Sequence, residues 1–356
     1  MTVMSTSRKD DHVNAAFKQY QTNPTDFESI RFIHHSIPKY NLSDINIETS
    51  ILNHQLTTPF YINAMTGGSE WTTQVNKQLA MVAKEAQLMM ATGSISAAIK
   101  DPKVAHSFQI AREVNPDGFL LANLGANHPL ENAKKAVDLI DADAFQIHLN
   151  SPQEIVMPEG DREFREFEDH IGEIVHGLGM PVMIKEVGFG MSSETVQRLI
   201  DIGVSTVDVS GFGGTNFATI ENSRREKEDF AFLGDWGQST AVSLIDNYHL
   251  KDVVDLVASG GIKHPLQMTK AFALGAKAVG MSGEFLQRVL TKGVDDTVEQ
   301  VHAWEEQLKL IMLMLNAPTI PDLLHTDLIF TDFPKEWAEQ RHIDLSKFNT
   351  RSHHAH

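Results

Sequence analysis

A histidine, two amides and a carboxylate fall close together in His148-Leu149-Asn150-Ser151-Pro152-Gln153-Glu154, and the run continues through Met157-Pro158-Glu159-Gly160-Asp161-Arg162. The His148 imidazole and the Gln153 amide can orient a reacting group and relay a proton, with Asn150 between them. The Glu154 carboxylate is a hard oxygen ligand of the kind Mg²⁺ takes. A lone strand-end histidine is more often structural, but these groups gathered on one loop favour chemistry. Lys185, in Met183-Ile184-Lys185-Glu186, must face an anion, a carbonyl or a Schiff-base partner if it points into a barrel mouth, because desolvating an ammonium is costly. An aldolase lysine, a lysine at the edge of a reduced flavin and a snorkelling surface lysine all remain open. Ser259-Gly260-Gly261-Ile262-Lys263 and Gly280-Met281-Ser282-Gly283 each place glycines just before a helix start. Backbone N–H groups there can approach a phosphate, although paired glycines can also simply make tight turns. The Arg8-Lys9-Asp10-Asp11-His12 cluster could close two cations and an imidazole over a diphosphate, or be a solvated tail.

These residues need a scaffold, and the hydrophobic periodicity supplies one. Short β-rich runs occur at 59–64, 88–92, 119–123, 144–148, 182–186, 206–210, 255–259 and 278–281, each too short for a helix. Between them lie stretches with helical spacing, such as Val75, Leu79, Val82, Ala83 and Ala86. Eight apolar strands alternating with amphipathic helices predict a (β/α)8 TIM barrel in the α/β class. An open doubly wound sheet is the runner-up, but Met65-Thr66-Gly67-Gly68-Ser69 does not match its GxGxxG fingerprint. Residues 1–58 form a mixed N-terminal extension, 59–292 the barrel and 293–350 a helical extension centred on Trp304 to Leu315, both extensions being expected to pack on or over the barrel. Residues 351–356 resemble an added metal-affinity tail. The charged run Glu221 to Asp229 reads as a mobile loop or lid. In such a barrel the reactive groups sit at the C-terminal strand ends. That rule selects Ala64-Met65-Thr66, Gly93-Ser94, Asn123, His148, Lys185, Ser210, Gly260-Gly261 and Ser282-Gly283.

The 356 residues suit one large barrel with extensions. Lys+Arg 30 against Asp+Glu 47 gives a net charge of −17, which disfavours nucleic acid and anionic membrane as partners. A phosphorylated ligand must therefore meet a local basic pocket. With no cysteine there is no disulfide, thiolate metal site or cysteine nucleophile. The start of the chain lacks the apolar core of a signal peptide, and no apolar run approaches bilayer-spanning length, so a cytoplasmic location is expected.

The ordered set from Arg8-Lys9-Asp10-Asp11-His12 through Ala64-Met65-Thr66-Gly67-Gly68, His148-Leu149-Asn150, Gln153-Glu154, Lys185-Glu186-Val187-Gly188, Gly213-Gly214-Thr215, Asp235-Trp236-Gly237 and Ser259-Gly260-Gly261 resembles the type 2, FMN-dependent isopentenyl-diphosphate isomerase family. The resemblance covers most of the chain. It implies interconversion of isopentenyl and dimethylallyl diphosphate by a 1,3-allylic proton shift, with reduced FMN, Mg²⁺, NADPH as reductant, and a homo-oligomer of four subunits or more. It implies that Ala64, Met65, Thr66, Ser94, Asn123, Lys185, Ser210 and Thr215 line the flavin ring and ribityl chain. Gly260, Gly261, Lys263, Ser282 and Gly283 would hold the FMN phosphate. Arg8, Lys9, His12, Ser94, Ser96, Asn150 and Gln153 would bind substrate, with His148 and Gln153 catalytic and Glu154 on the metal. One departure stands out: the family often reads Gly-Ser-Gln-Arg where this chain reads Gly93-Ser94-Ile95-Ser96. The diphosphate grip therefore leans on Arg8, Lys9, His148 and Lys100. The rivals are an FMN-dependent oxidoreductase of the 2-hydroxy-acid oxidase type, a lysine aldolase and a non-enzymatic phosphate binder.

Overall fold

The computed structural model describes residues 25–354. The eight apolar runs become parallel strands β1 (Phe60–Ile62), β2 (Met90–Ala91), β3 (Leu120–Gly125), β4 (Ala144–Leu149), β5 (Val182–Glu186), β6 (Thr206–Asp208), β7 (Asp255–Ala258) and β8 (Ala276–Met281). Each pairs with its neighbours in chain order, and β8 closes on β1 with Val279 opposite Phe60 and Met281 opposite Ile62. The fold is thus the (β/α)8 barrel and not the open sheet. The second strand is shorter than the run 88–92, yet Thr92 N–H still donates to Leu121 O at 3.0 Å, so the extended chain carries on to the barrel mouth.

Alternation along the strands separates two apolar layers. Outward residues such as Phe60, Leu120, Phe145, Ile147, Ile184 and Val207 pack beneath the helices. Inward residues Tyr61, Leu121, Ala144, Met183, Val257 and Ala278 fill the lower barrel together with Ile51, Leu52 and Leu56. Those last three belong to a hairpin, Thr49–Ile51 with His54–Leu56, whose turn residues Leu52 and Asn53 take φ of 53° and 57°. Both angles are left-handed, as a two-residue hairpin turn with the strands' own twist requires. The hairpin stoppers the end of the barrel opposite the C-terminal strand ends.

The helices follow the predicted spacing. In the helix Glu70–Glu85, Val75, Leu79, Val82 and Ala83 are buried, and the Ser69 hydroxyl accepts the Thr72 N–H to cap the first turn. The C-terminal extension opens on the helix Val294–Met314, and the Trp304 ring meets Phe60 and Phe285 edge-on at 5.9 Å each. A strand of the N-terminal extension, Ile30–Phe32, pairs antiparallel with Leu328–Phe330 of the C-terminal one. Among the described residues no helix is long and apolar enough to cross a membrane.

The segment that resembles an added metal-affinity tail is docked where it begins: Arg351 is buried, its guanidinium lies over Phe348 and Tyr248 at 4.2 and 4.9 Å, and it donates to Ala273 O at 2.8 Å. Composition hid this, because an arginine beside histidines looks solvent-bound until aromatic partners are placed around it. The charged run 221–229 is likewise anchored. Its first three residues, 221–223, are the last of the helix Phe217–Ser223 with Glu221 fully buried, and Arg225 donates to Val156 O at 2.9 Å while lying 4.5 Å from the Phe230 ring centroid.

Candidate functional site

A cavity of about 490 Å³ opens above the C-terminal strand ends, within the range of ligand and cofactor pockets. Every candidate from Ala64 to Gly283 lines it: Ala64, Met65, Thr66, Ser94, Ser96, Asn123, His148, Asn150, Gln153, Glu154, Lys185, Ser210, Thr215, Gly260, Gly261, Lys263, Ser282 and Gly283. Arg8, Lys9 and His12 lie outside the described residues.

One side of the cavity is glycine backbone. Gly260 and Gly261 have φ of 92° and 76°, and a Cβ on Gly261 would stand 2.4 Å from the backbone of Gly213. Any side chain there would push apart the turns after β6 and β7. Ser282 and Gly283 open the helix Gly283–Thr291, whose N-terminal N–H groups and dipole favour an anion. Lys263 also lines this side. The set fits a phosphate monoester. Deeper in, the buried Thr66 hydroxyl has no hydrogen-bond partner within the protein, and an orphaned polar atom in a cavity wall fits a ring or chain offering polar atoms of its own. Ser210 takes φ of 50°, left-handed for a non-glycine residue, while its N–H donates to Asp208 Oδ1 at 3.1 Å.

Lys185 is buried, and its ammonium donates to Glu186 O at 2.8 Å, Asp208 Oδ2 at 3.0 Å and Ser259 Oγ at 3.0 Å. All three of its N–H bonds are thereby engaged, and an ammonium held against a buried carboxylate is a poor Schiff-base nucleophile. What it presents to the cavity is positive charge. Asp208 was not among the sequence candidates. It ends β6 fully buried, and the signal was present: alternation puts Thr206, Asp208 and Ser210 on one face, and Ser210 had already been placed inward.

Across the cavity, Gln153 and Glu154 sit on a short helix, Ser151–Val156, and not on an open loop. Asn150 Nδ2 donates to Glu154 Oε1 at 2.9 Å, and Asp161 N–H to Glu154 Oε2 at 2.9 Å, so both carboxylate oxygens are oriented. Gln153 Nε2 donates to Glu221 Oε1 at 3.0 Å, and Arg224 pairs with Glu221 from the other side. Glu221 belongs to the charged run that the sequence presents as a mobile loop or lid. The apolar neighbours Ala218 and Ile220, which mark the buried face of its helix, were the missed cue. Among the described residues no three His, Asp or Glu side chains gather as a metal cluster. A single oriented carboxylate suits a Mg²⁺ that takes its other oxygens from water and substrate phosphates.

At the position of the family's frequent arginine, the Ser96 hydroxyl is hydrogen-bonded to His128 Nε2, and Asn132 Nδ2 lies 3.1 Å from His128 Nδ1. Burial, reinforced by the Lys100 charge, lowers the His128 pKa and keeps this imidazole neutral at pH 7. Burial also acts on Glu186, raising its pKa from 4.5 to about 7 although its Oε2 accepts the N–H groups of Gly188, Phe189 and Gly190 at 2.7 to 2.9 Å.

Residues 150–329 match the FMN-dependent dehydrogenase family. The chain is 49% identical to an isopentenyl-diphosphate delta-isomerase of Staphylococcus haemolyticus over 96% of this chain and 97% of the relative. It is 48% identical to the corresponding protein of Staphylococcus aureus over the same shares. Among solved structures, the flavin-binding domain of baker's yeast flavocytochrome b2 superposes with a TM-score of 0.62 at 17% identity, covering 90% of this chain and 79% of that one. A mandelate oxidase variant superposes with a TM-score of 0.63 at 15% identity, covering 89% and 92%. Likeness at that identity speaks for the fold alone.

Proposed function

Because the chain belongs to the isopentenyl-diphosphate delta-isomerase family, in its FMN-dependent type, we propose that it interconverts isopentenyl and dimethylallyl diphosphate by a 1,3-allylic proton shift that needs reduced FMN and Mg²⁺. The observation that carries this reading is the meeting, in one cavity, of a glycine-built anion seat and the oriented Gln153–Glu154 pair facing it. An oxidase acting on a 2-hydroxy acid has no task for that pair.

Gly260, Gly261, Lys263, Ser282 and Gly283 would hold the FMN phosphate. Ala64, Met65, Thr66, Ser94, Asn123, Ser210 and Thr215 would flank the ribityl chain and ring, with the Lys185 charge favouring an anionic reduced flavin. Bound reduced FMN supplies a ring nitrogen that exchanges protons and an electron-rich face that stabilises positive charge. NADPH is the reductant in this reading. Arg8, Lys9 and His12 close over the substrate diphosphate, aided by Ser96, Asn150 and Lys100. Glu154 would hold Mg²⁺, which would supply positive charge to the diphosphate. His148 and Gln153 order the allyl unit, the Gln153 amide being fixed by its hydrogen bond to Glu221. The protein acts in the cytoplasm as a homo-oligomer of four or more copies.

In an anaerobic assay with isopentenyl diphosphate, FMN and Mg²⁺, one stoichiometric reduction should sustain many turnovers, while oxidised enzyme stays silent. In deuterium oxide, dimethylallyl product should carry label at the former terminal methylene. Consumption of one NADPH per product molecule would overturn the isomerisation and return the oxidoreductase reading.

A further inference from the structure

The middle of a (β/α)8 barrel is ordinarily filled by branched apolar side chains. Here three fully buried polar residues cross it, Asn63, Gln146 and Asp208, and the mechanism above uses none of them. They join side chain to side chain. Asn123 Nδ2 donates to Gln146 Oε1 at 2.7 Å, Gln146 Nε2 to Asn63 Oδ1 at 3.2 Å, and Asn63 Nδ2 to Asp208 Oδ2 at 2.9 Å. Lys185 Nζ donates to the same Asp208 oxygen at 3.0 Å, and Ser259 Oγ donates to the other at 2.8 Å. At the opposite end, His148 Nδ1 lies 2.8 Å from Asn123 Oδ1.

The direction of this chain is not a matter of choice. Asn63 Oδ1 also accepts the Ala64 backbone N–H at 2.9 Å, a donor that cannot be reversed, while a carboxylate faces its Nδ2. Asn63 is therefore fixed with oxygen toward Gln146. A flipped Gln146 would set oxygen against oxygen, so its Nε2 must face Asn63 and its Oε1 must face Asn123. Asn123 then has to spend its Nδ2 on Gln146, and its Oδ1 points at His148. An acceptor there requires a proton on His148 Nδ1.

We infer that Asn63, Gln146 and Asp208 are positioning residues, forming a one-way hydrogen-bond chain that ends on Asp208, holds His148 in its Nδ1–H tautomer and couples its orientation to the Lys185–Asp208 ion pair. In the neutral ring Nε2 then carries the lone pair. A buried polar layer is stabilising only when every member is satisfied, and each member of this one is. The inference deepens the proposed function, because His148 and Lys185 are its substrate- and cofactor-facing groups.

The test is nitrogen NMR of the holoenzyme labelled with [¹⁵N]histidine, the His148 signals being identified by their loss in His148→Gln. At pH 8 wild-type His148 should show a protonated Nδ1 and an unprotonated Nε2, the reverse of the tautomer that dominates for free histidine in water. Gln146→Leu cuts the chain and should mix the tautomers, with kcat down about tenfold. Gln146→Glu keeps the acceptor facing Asn123 and, with its fully buried carboxyl protonated so that it donates to Asn63 Oδ1 in place of the amide, should restore the wild-type tautomer and most of kcat. A wild-type His148 protonated at Nε2 overturns the inference whether or not any variant folds. So does a flavin-loaded Gln146→Leu protein with unchanged His148 shifts. The spectra do not depend on the reaction, so failure of the isomerase assay with the Nδ1–H tautomer intact would remove the proposed function and leave the chain standing.

Discussion

Glu154 is held by Asn150 and by the Asp161 N–H, neither of which bears charge, so Glu154→Gln preserves the side chain's shape while removing the charge a hard cation needs. Mg²⁺-dependent turnover should fall at least about a hundredfold with the flavin spectrum unchanged. A variant that keeps wild-type rates across a Mg²⁺ titration would remove Glu154 from the metal. Glu186 makes a second prediction, about stability. Its native pKa, raised by burial to about 7, lies above its unfolded value, so the native state binds the extra proton between those two values. The stabilisation is complete below about pH 4.5 and is lost as pH rises through 7, by about 3 kcal/mol. Urea unfolding at pH 5 and pH 8 should show that loss in the wild type, and Glu186→Gln should flatten it. Equal slopes in the two proteins would mean that the three backbone donors keep the carboxylate ionised throughout.

At the level of elements, the docked C-terminus can be tested by where the chain is cut. Ending at Thr350 removes the Arg351 contacts and the Ser352 hydrogen bonds to Asp327, a carboxylate only 4% exposed. That should cost about 2 to 4 kcal/mol and lower Tm by several degrees, whereas removing only residues 355–356 should leave Tm unchanged. Equal melting of both truncations would return this segment to the status of a loose tail. The strands could be read from the sequence because eight apolar runs of four to six residues, each too short for a helix, alternate with stretches of helical spacing. The strand-end rule then reached His148, Lys185 and the glycines without any structure. It missed what depends on facing partners: the Arg351 platform needs Tyr248 and Phe348 from separate elements, and the burial of Glu221 needs its helix turned toward Gln153. Asn63, Gln146 and Asp208 were missed differently. Their alternation was visible, but a polar residue inside a predicted strand looks like a flaw until its cross-barrel partner is known.

For the molecule as a whole, an acidic chain of net charge −17 would hold the proposed phosphate with glycine N–H groups, a helix dipole and Lys263, and binding there would link directly to global stability. FMN at a hundred times its Kd should add about 2.7 kcal/mol, visible as a rise in Tm with FMN concentration. Gly261→Ala, which drives a Cβ to 2.4 Å from Gly213, should flatten that rise, and an undiminished rise would place the phosphate elsewhere. The pairing of Ile30–Phe32 with Leu328–Phe330 sets a timetable on the ribosome. The first strand among the described residues emerges early, but its partner is made almost 300 residues later, a wait of roughly 15 to 60 s at ordinary translation rates. Until then Ile30 and Phe32 have no ladder to join, whereas β8, complete at Met281, has already given β1 the strand it closes against. Shortening that interval by circular permutation, with the present ends joined and new ends opened in an exposed barrel loop, would let the clamp form before the barrel does, reversing the order in which the molecule is assembled.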